Sequence, residues 1–255
     1  MSKVKALSKK PLFLPIVSMI LVMLVTIVYD VAHGNSFYNF FTITINNGIL
    51  YGRIIDILNR GSEAAILALG MTLVVSASAG TDISVGSVMS LAGGVCCVLL
   101  AGYGNVNVNS YAVPLAVGVL AGILVACFCG AFNGFLVAYM KIQPMVATLI
   151  LYSAGRAIGL LLCNSNIGLN LEMDAILAVA LGGNSLGGGK FRISGSIIGA
   201  YTIQAITTTL YALGVSSAQA PVFKAIIVIL IVAIQSPALK AYIAGWKMAK
   251  EAKRV

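Results

Sequence analysis

Two isolated charged residues interrupt long apolar stretches, and they are the first candidates for function. Asp82 separates two apolar runs, and Arg156 lies in the middle of another. A charge at membrane depth costs free energy, so each such residue needs a partner or a functional reason. Because Ser84 follows closely, Asp82 either caps a restarting helix or lines a polar path, and the two roles are compatible.

Arg156 and two downstream carboxylates leave several roles open. Arg156 pairs with a carboxylate, for which Asp82 and Asp174 are the candidates, or faces a wet cavity, or snorkels to the membrane interface. Glu172 and Asp174 open a short apolar segment. There they complement a helix macrodipole, or they form an outward-facing gate or a contact with a partner protein.

Several kinds of chemical site are disfavoured by residue spacing. A zinc site needs about four nitrogen or sulfur ligands, but the five cysteines form no CxxC pair and His33 is the one histidine. An intramembrane aspartyl protease needs close paired carboxylates, whereas Asp30 ends its apolar run. The glycine-rich run 182–189 lacks the GK[ST] ending of a phosphate-binding loop. We therefore expect no metal site and no nucleotide site in this chain.

The composition indicates the kind of element that carries these residues. Hydrophobic residues make up 60% of the 255 residues, charged residues make up 9%, and the mean hydropathy is +1.01. Soluble proteins have about 45–50% apolar and about 25% charged residues, so a soluble domain is excluded. The unbroken apolar runs also exclude a transmembrane β-barrel. The backbone must then satisfy its hydrogen bonds in helices, and we expect an all-α polytopic membrane protein.

The net charge of +9 lies mainly outside the apolar runs. Basic clusters at 3–10 and 240–254 flank the first and last runs, which is typical of cytoplasmic ends rather than of a nucleic-acid patch. The first run, 12–28, exceeds the apolar core of a signal peptide, which has about 7–15 residues. We therefore expect an uncleaved first span and both termini in the cytoplasm.

Apolar runs of about 17–25 residues can span a membrane, and the chain alternates such runs with breaks. The expected runs are 12–29, 62–78, 83–102, 111–140, 145–163, 193–213 and 222–243. The stretch 30–61 is a mixed connector. Residues 174–189 begin with an apolar segment too short to cross, so we expect a broken, partly re-entrant element. The total is about six to eight transmembrane or re-entrant helices.

The positive-inside rule assigns sides to the connections. It places Lys141, Lys190 and Arg192 in the cytoplasm, and it places loops 104–110 and 214–221 outside. Several runs also carry pairs of glycines four residues apart, a spacing that lets helix backbones approach closely. These pairs are Gly118 and Gly122, Gly130 and Gly134, and Gly195 and Gly199.

A faint internal repeat links two of the breaks. Residues 65–68 lead to the break at 79–82, and residues 175–178 lead to the glycine-rich break at 182–189. In each half an apolar segment runs into an unwound turn and restarts as a helix beginning near an Ile-Ser pair. Paired, interrupted apolar segments indicate a transport path.

Several motifs, in order along the chain, resemble one known family. They are 55–60 (IDILNR), 68–74 (ALGMTLV), 80–87 (GTDISVGS), 133–134 with 142–149 (IQPMVATL), and 171–179 (LEMDAILAV) with 182–189. Together they resemble the inner-membrane permease subunits of ribose/galactose-type sugar ABC importers. The surroundings of Arg60 and of Lys190-Phe191 look closest to the galactofuranose-type members.

The resemblance implies a type II importer-like permease bundle with broken helices, forming one domain over 1–255 in the bacterial plasma (inner) membrane. Two permease chains, identical or different, would form the sugar path through the lipid bilayer. An extracytoplasmic sugar-binding protein would deliver a galactofuranose-, ribose- or galactose-like monosaccharide. Separate cytoplasmic subunits would bind ATP and Mg, so this chain would carry no catalytic residue and no cofactor. The residues implied in the path or its broken segments are Gly80, Asp82, Ser84, Gly86, Gln143, Pro144, Thr148, Arg156, Asp174, Gly182, Gly183, Ser185 and Gly188.

The chain departs from the family in one region. Between residues 164 and 172 the family has further spans and a cytoplasmic coupling helix that docks the ATPase, and no stretch here matches them. We therefore expect an internal deletion near 164–172. One alternative function is a transport-inactive remnant that acts as a membrane interaction protein. Another is a small channel that conducts ions without ATP.

Overall fold

The computed structural model describes residues 12–104, 110–163, 167–189 and 191–235. The α-helices in these ranges are α1 Phe13–Ala32, α2 Arg53–Ser78, α3 Val85–Ala101, α4 Leu115–Ala138, α5 Pro144–Cys163, α6 Leu171–Leu181, α7 Ile193–Ala212 and α8 Ala220–Gln235. The prediction of an all-α membrane protein is confirmed. Both basic clusters, Lys190, most of loop 104–110 and the end of run 222–243 lie outside the described residues.

Four helices are long and apolar enough to cross a membrane. They are Pro15–Ala32 within α1, and the whole of α2, α4 and α5. The helix α3 and the segment Ala220–Ala233 of α8 are apolar but shorter. The 20-residue α7, expected as a span, is less apolar over the length of a span than these four helices because serine, threonine, glutamine and glycine replace aliphatic residues. Twelve of its residues are buried, so α7 is an internal helix of the protein.

The connector between the first two spans has more structure than the sequence indicated. A short 3-10 helix, Phe37–Phe41, precedes a hairpin of β1 Thr44–Asn46 and β2 Ile49–Tyr51. Asn47 and Gly48 form its turn, both with positive φ, as the commonest two-residue hairpin turns require. Helix α2 then begins at Arg53, nine residues before the predicted apolar run.

The described residues form two compact units. The first unit contains residues up to 69, 177–184 and those from 192 onward. In it α1 packs along α7, and the hydroxyl oxygens of Thr26 and Thr209 lie 2.6 Å apart. The ring of Tyr201 rests against Gly61 where a larger side chain would clash. Polar and small residues therefore hold these helices together.

The second unit contains residues 70–176 and 185–191. In it α3 packs against both α4 and α5. A Cβ on Gly122 would lie 3.1 Å from the carbonyl oxygen of Ala92, and a Cβ on Gly155 would lie 3.2 Å from that of Ser87. Glycines thus allow close backbone approach in this unit, as the spacing of Gly118 and Gly122 predicted. By contrast, nothing within 4 Å would meet a Cβ on Gly130 or Gly134.

Candidate functional site

The first break separates α2 from α3 at the position that the sequence indicated. Ala79 leaves the helix with φ of +52°, and α3 begins at Val85. One carboxylate oxygen of Asp82 accepts hydrogen bonds from the backbone N–H of Ser84 at 2.7 Å and from its hydroxyl at 2.6 Å. Asp82 therefore closes a turn just before α3, whose N-cap position is Ser84.

Side chains from α4 and α5 hold this break in place. Asn133 donates to the hydroxyl of Ser84 at 2.9 Å, and the backbone N–H of Ile83 donates to the hydroxyl of Thr148 at 3.3 Å. A Cβ on Gly80 would lie 2.6 Å from Cβ of Pro144, so only glycine fits there. Five predicted site residues, Gly80, Asp82, Ser84, Pro144 and Thr148, therefore lie in one small cluster.

Gln143 has a different role from its neighbours in the motif. Its side chain is exposed, and its carbonyl oxygen accepts from the N–H groups of Val146 and Ala147, both at 3.0 Å. This residue therefore starts α5. The structure shows no side-chain hydrogen bond of Gln143 to another described residue.

The second break lies between α6 and α7. Gly182 packs directly on the backbone of Gly195, and Gly183 follows with φ of +81°. The side-chain amide of the buried Asn184 then bridges the break: its oxygen accepts from the N–H of Arg192 at 2.8 Å, and its nitrogen donates to the hydroxyl of Ser196 at 2.8 Å. Sequence reasoning missed Asn184, although a buried-type amide beside a glycine-rich turn is a usable signal.

The distal part of the glycine-rich run lies in the second unit and contacts the first break. Gly188 donates its N–H to the carbonyl oxygen of Ser185 at 3.1 Å and has φ of +83°. A Cβ on Gly188 would lie 3.1 Å from Cα of Ala79 and 3.3 Å from the carbonyl oxygen of Val75. The end of α2 and the turn at 185–188 therefore meet without intervening side chains.

Arg156 pairs with a carboxylate other than the two that the sequence suggested. Its guanidinium donates to both oxygens of Glu172, at 3.1 and 3.2 Å, and to the carbonyl oxygen of Ile167 at 3.0 Å. The expectation of Asp82 or Asp174 as partner is wrong. The reason is tertiary: α6 begins directly opposite Arg156, while Asp82 is engaged by Ser84. Asp174 is buried in the first turn of α6.

Gly86 leaves room for this ion pair because it has no side chain. The carboxylate of Glu172 rests on the Cα of Gly86, where any Cβ would overlap it, and Glu172 is only 3% exposed. The Nε of Arg156 is buried and has no hydrogen-bond partner in the part of the chain that the structure describes. The position predicted as part of a path therefore leaves space for a buried charge pair.

A polar cavity of about 230 Å³ lies in the first unit and was not predicted. Its lining residues are Arg53, Asp56, Arg60, Gln204, Thr208, Tyr211 and Ala212. Arg53 also forms an ion pair with Asp30, which is 2% exposed. The spacing of Arg53, Asp56 and Arg60, three and four residues apart, places them on one face of a helix. That signal was overlooked because the segment was treated as a connector.

Metal-binding side chains do not cluster in the described ranges. No group of three or more His, Cys, Asp or Glu residues comes together in these ranges. The five cysteines are all free.

Comparisons with known proteins find transport permeases. A family described as "Branched-chain amino acid transport system / permease component" matches residues 53–165. The galactofuranose transporter permease of Escherichia coli is 28% identical, over 81% of this chain and 86% of its own length. A fructose import permease of Bifidobacterium longum is 29% identical over 79% and 82%, and the ribose import permease of E. coli is 26% identical over 78% and 87%. No solved structure matches the chain.

The chain has fewer residues than its alignment with the galactofuranose permease has positions. The alignment with the galactofuranose permease has 304 positions, whereas 81% of 255 residues is about 207 residues. About 97 alignment positions therefore face gaps in this chain.

The relatives are sugar permeases, the family match covers both sides of the first break, and the helices are those of a multi-pass membrane protein. The chain is therefore similar to the permeases of this family over residues 53–165, and to these sugar permeases over about four fifths of its length.

Proposed function

We propose that the chain is the membrane-spanning permease subunit of an ATP-driven ABC importer for a monosaccharide in the bacterial inner membrane. The relatives named above import galactofuranose, fructose and ribose. Their common substrate class is a small neutral sugar, which agrees with the class inferred from the motifs. Neither the described residues nor the comparisons support a transport-inactive remnant.

The observation that carries this proposal is the pair of broken helices. In the topology that the positive-inside rule gives, both breaks lie toward the cytoplasmic side, together with Lys141 and Arg192. Transporters place such paired breaks at the substrate path. Here the turn at Gly188 packs on Ala79 at the end of α2, and the carboxylate of Asp82 follows three residues later in the same break. These residues are our candidates for the path.

The partners follow from the same proposal. The chain would pair with a second permease chain, identical or homologous, and receive sugar from an extracytoplasmic binding protein. Cytoplasmic subunits would bind and hydrolyse ATP with Mg. Both termini would lie in the cytoplasm, as the basic clusters at 3–10 and 240–254 indicate.

The gaps in the alignments support an internal deletion. About 97 positions of the galactofuranose permease alignment have no residue here, and the family match ends at residue 165. That end falls beside the predicted junction at 164–172. A coupling helix missing from this region would weaken the attachment of the ATPase, so transport and ATPase binding should be measured together.

The test is uptake of radiolabelled D-ribose, D-fructose and D-galactose by cells that express the chain with its own ATPase and binding protein. We expect Asp82→Asn to lower uptake at least tenfold at an unchanged membrane level. Asparagine keeps the oxygen that accepts from Ser84 but removes the charge. The matched control is Glu63→Gln, which removes an exposed carboxylate from α2.

Two results would argue against this assignment at different levels. Unchanged uptake by Asp82→Asn would leave Asp82 as a residue that closes the turn before α3 and has no part in the path. No uptake of any of the sugars by the unaltered importer, with all subunits present in the membrane, would contradict the proposed function itself.

A further inference from the structure

We propose that the polar cavity of the first unit is a binding subsite for one neutral, hydroxyl-rich molecule of monosaccharide size. The inference deepens the proposed function and rests on it. It concerns a place separate from the two broken segments: the face of α2 that carries Arg53, Asp56 and Arg60, and the last turns of α7.

The charge balance of the cavity favours a neutral ligand. Arg53 is compensated by Asp30, which is 2% exposed. Asp56 and Arg60 both line the cavity, and the structure shows no ion pair between them. Their charges cancel, yet the carboxylate and the guanidinium remain available for hydrogen bonds. An anion would be attracted by one of them and repelled by the other.

Gln204 supplies the most informative group. It is 6% exposed on the polar helix α7, and its side chain forms no hydrogen bond with the residues that the structure describes. The polar atoms of this side chain are not fully buried, so they remain accessible from the cavity. The amide therefore presents an unpaired donor and an unpaired acceptor to the cavity. A ligand hydroxyl could pair with either of them.

The remaining lining groups suit a sugar ring. Thr208 and Tyr211 add hydroxyls that both donate and accept, and Tyr211 is 44% exposed. A sugar presents hydroxyls at its edge and C–H groups on its faces, so it binds best to mixed donors and acceptors beside an aromatic ring. The volume of about 230 Å³ equals about eight water molecules at about 30 Å³ each, which suits one monosaccharide.

The position of the cavity agrees with this role. In the topology that we propose, the Arg53 end of α2 and the C-terminal end of α7 both face outward. A cavity there lies on the side where a binding protein would release its sugar. The cavity would then hold a sugar before it reaches the broken segments.

The experiment is equilibrium binding of radiolabelled D-ribose, D-fructose and D-galactose to the full chain in lipid nanodiscs. We expect Gln204→Leu and Asp56→Asn each to weaken binding of the preferred sugar at least tenfold. Asn59→Leu is the matched control, because Asn59 is exposed beside Arg60 on α2 but does not line the cavity. Thermal unfolding of each variant checks that it has folded.

The outcomes separate this inference from the proposed function. Sugar binding that is unchanged in folded Gln204→Leu and Asp56→Asn would overturn the subsite, and sugar uptake by the complete importer would still support the permease. Tighter binding of D-ribose 5-phosphate than of D-ribose would overturn the preference for a neutral ligand. No binding of any of the three sugars to the unaltered chain would also overturn the subsite.

Discussion

Arg156 and Glu172 place two opposite charges in buried surroundings of the second unit. Their side chains alone are 15% and 4% exposed. Removing one partner of a buried pair leaves an uncompensated charge, which costs about 3–5 kcal/mol, whereas two apolar replacements cost far less. We therefore expect Arg156→Met to lower the free energy of unfolding by about 3–5 kcal/mol. The double variant Arg156→Met/Glu172→Leu should recover most of that loss.

Denaturant unfolding in detergent micelles measures both variants against the unaltered chain. A double variant that is as unstable as Arg156→Met alone would contradict the buried pair. The hydrogen bond from Arg156 to the carbonyl oxygen of Ile167 would then be the main contribution of the guanidinium.

A second prediction at the scale of single residues concerns Gly86. A methyl group at this position would overlap the carboxylate of Glu172 and lie 2.6 Å from the carbonyl oxygen of Gly168. We expect Gly86→Ala to destabilise the chain by about 1–3 kcal/mol, the usual cost of overpacking. Gly70→Ala is the control, since nothing lies within 4 Å of that Cβ and alanine favours a helix by up to about 1 kcal/mol. Equal melting temperatures for the two variants would contradict the crowding at Gly86.

Helices α6 and α7 meet through glycine in the first unit. A Cβ on Gly199 would overlap the carbonyl oxygen of Ala178, and Gly182 contacts Gly195 backbone to backbone. We expect Gly199→Ala to force these helices apart, with a loss of about 1–3 kcal/mol in the free energy of unfolding. The control is Gly187→Ala, whose Cβ would meet only Ser185 Oγ at 3.8 Å. Thermal melting that is the same for both variants would show that α6 and α7 are not tightly packed.

The helical runs could be predicted because apolar stretches of span length leave few other structures for a membrane backbone. The predicted 145–163 matches α5 Pro144–Cys163 to within one residue. The start of α2 was missed because Arg53, Asp56 and Arg60 interrupt its apolar pattern. The hairpin was missed although Asn47-Gly48 is a turn signal, since exposed strands of three residues carry little hydropathy pattern.

Partners in the candidate site could be predicted only where they are close in sequence. Asp82 and Ser84 are two residues apart, so local turn chemistry was enough. The pairing of Arg156 with Glu172 depends on where the chain after α5 places the first turn of α6, and the bridge from Asn184 to Ser196 depends on how α7 restarts. Such contacts come from packing rather than from periodicity.

The length of the whole chain constrains how it can insert in the membrane. Its relatives have about 97 aligned positions that it lacks. Loss of an even number of crossings leaves the flanks on their original sides, whereas loss of an odd number would invert everything that follows. The sidedness of the loop 214–221 relative to the hairpin therefore reports on how many crossings the proposed deletion would have removed.

Cysteine labelling tests this arrangement. Asn47, Lys141 and Ser217 are exposed, and each is replaced by cysteine in a chain whose five native cysteines have been changed to serine or alanine. The positive-inside rule places Asn47 and Ser217 outside and Lys141 in the cytoplasm. A membrane-impermeant maleimide should therefore label Asn47→Cys and Ser217→Cys in spheroplasts, and Lys141→Cys only in inverted vesicles. The cysteine-free parent should stay unlabelled. Labelling of Ser217→Cys and Asn47→Cys from opposite sides would mean that an odd number of crossings is missing, and the proposed positions of the cavity and of the C-terminus would then be inverted.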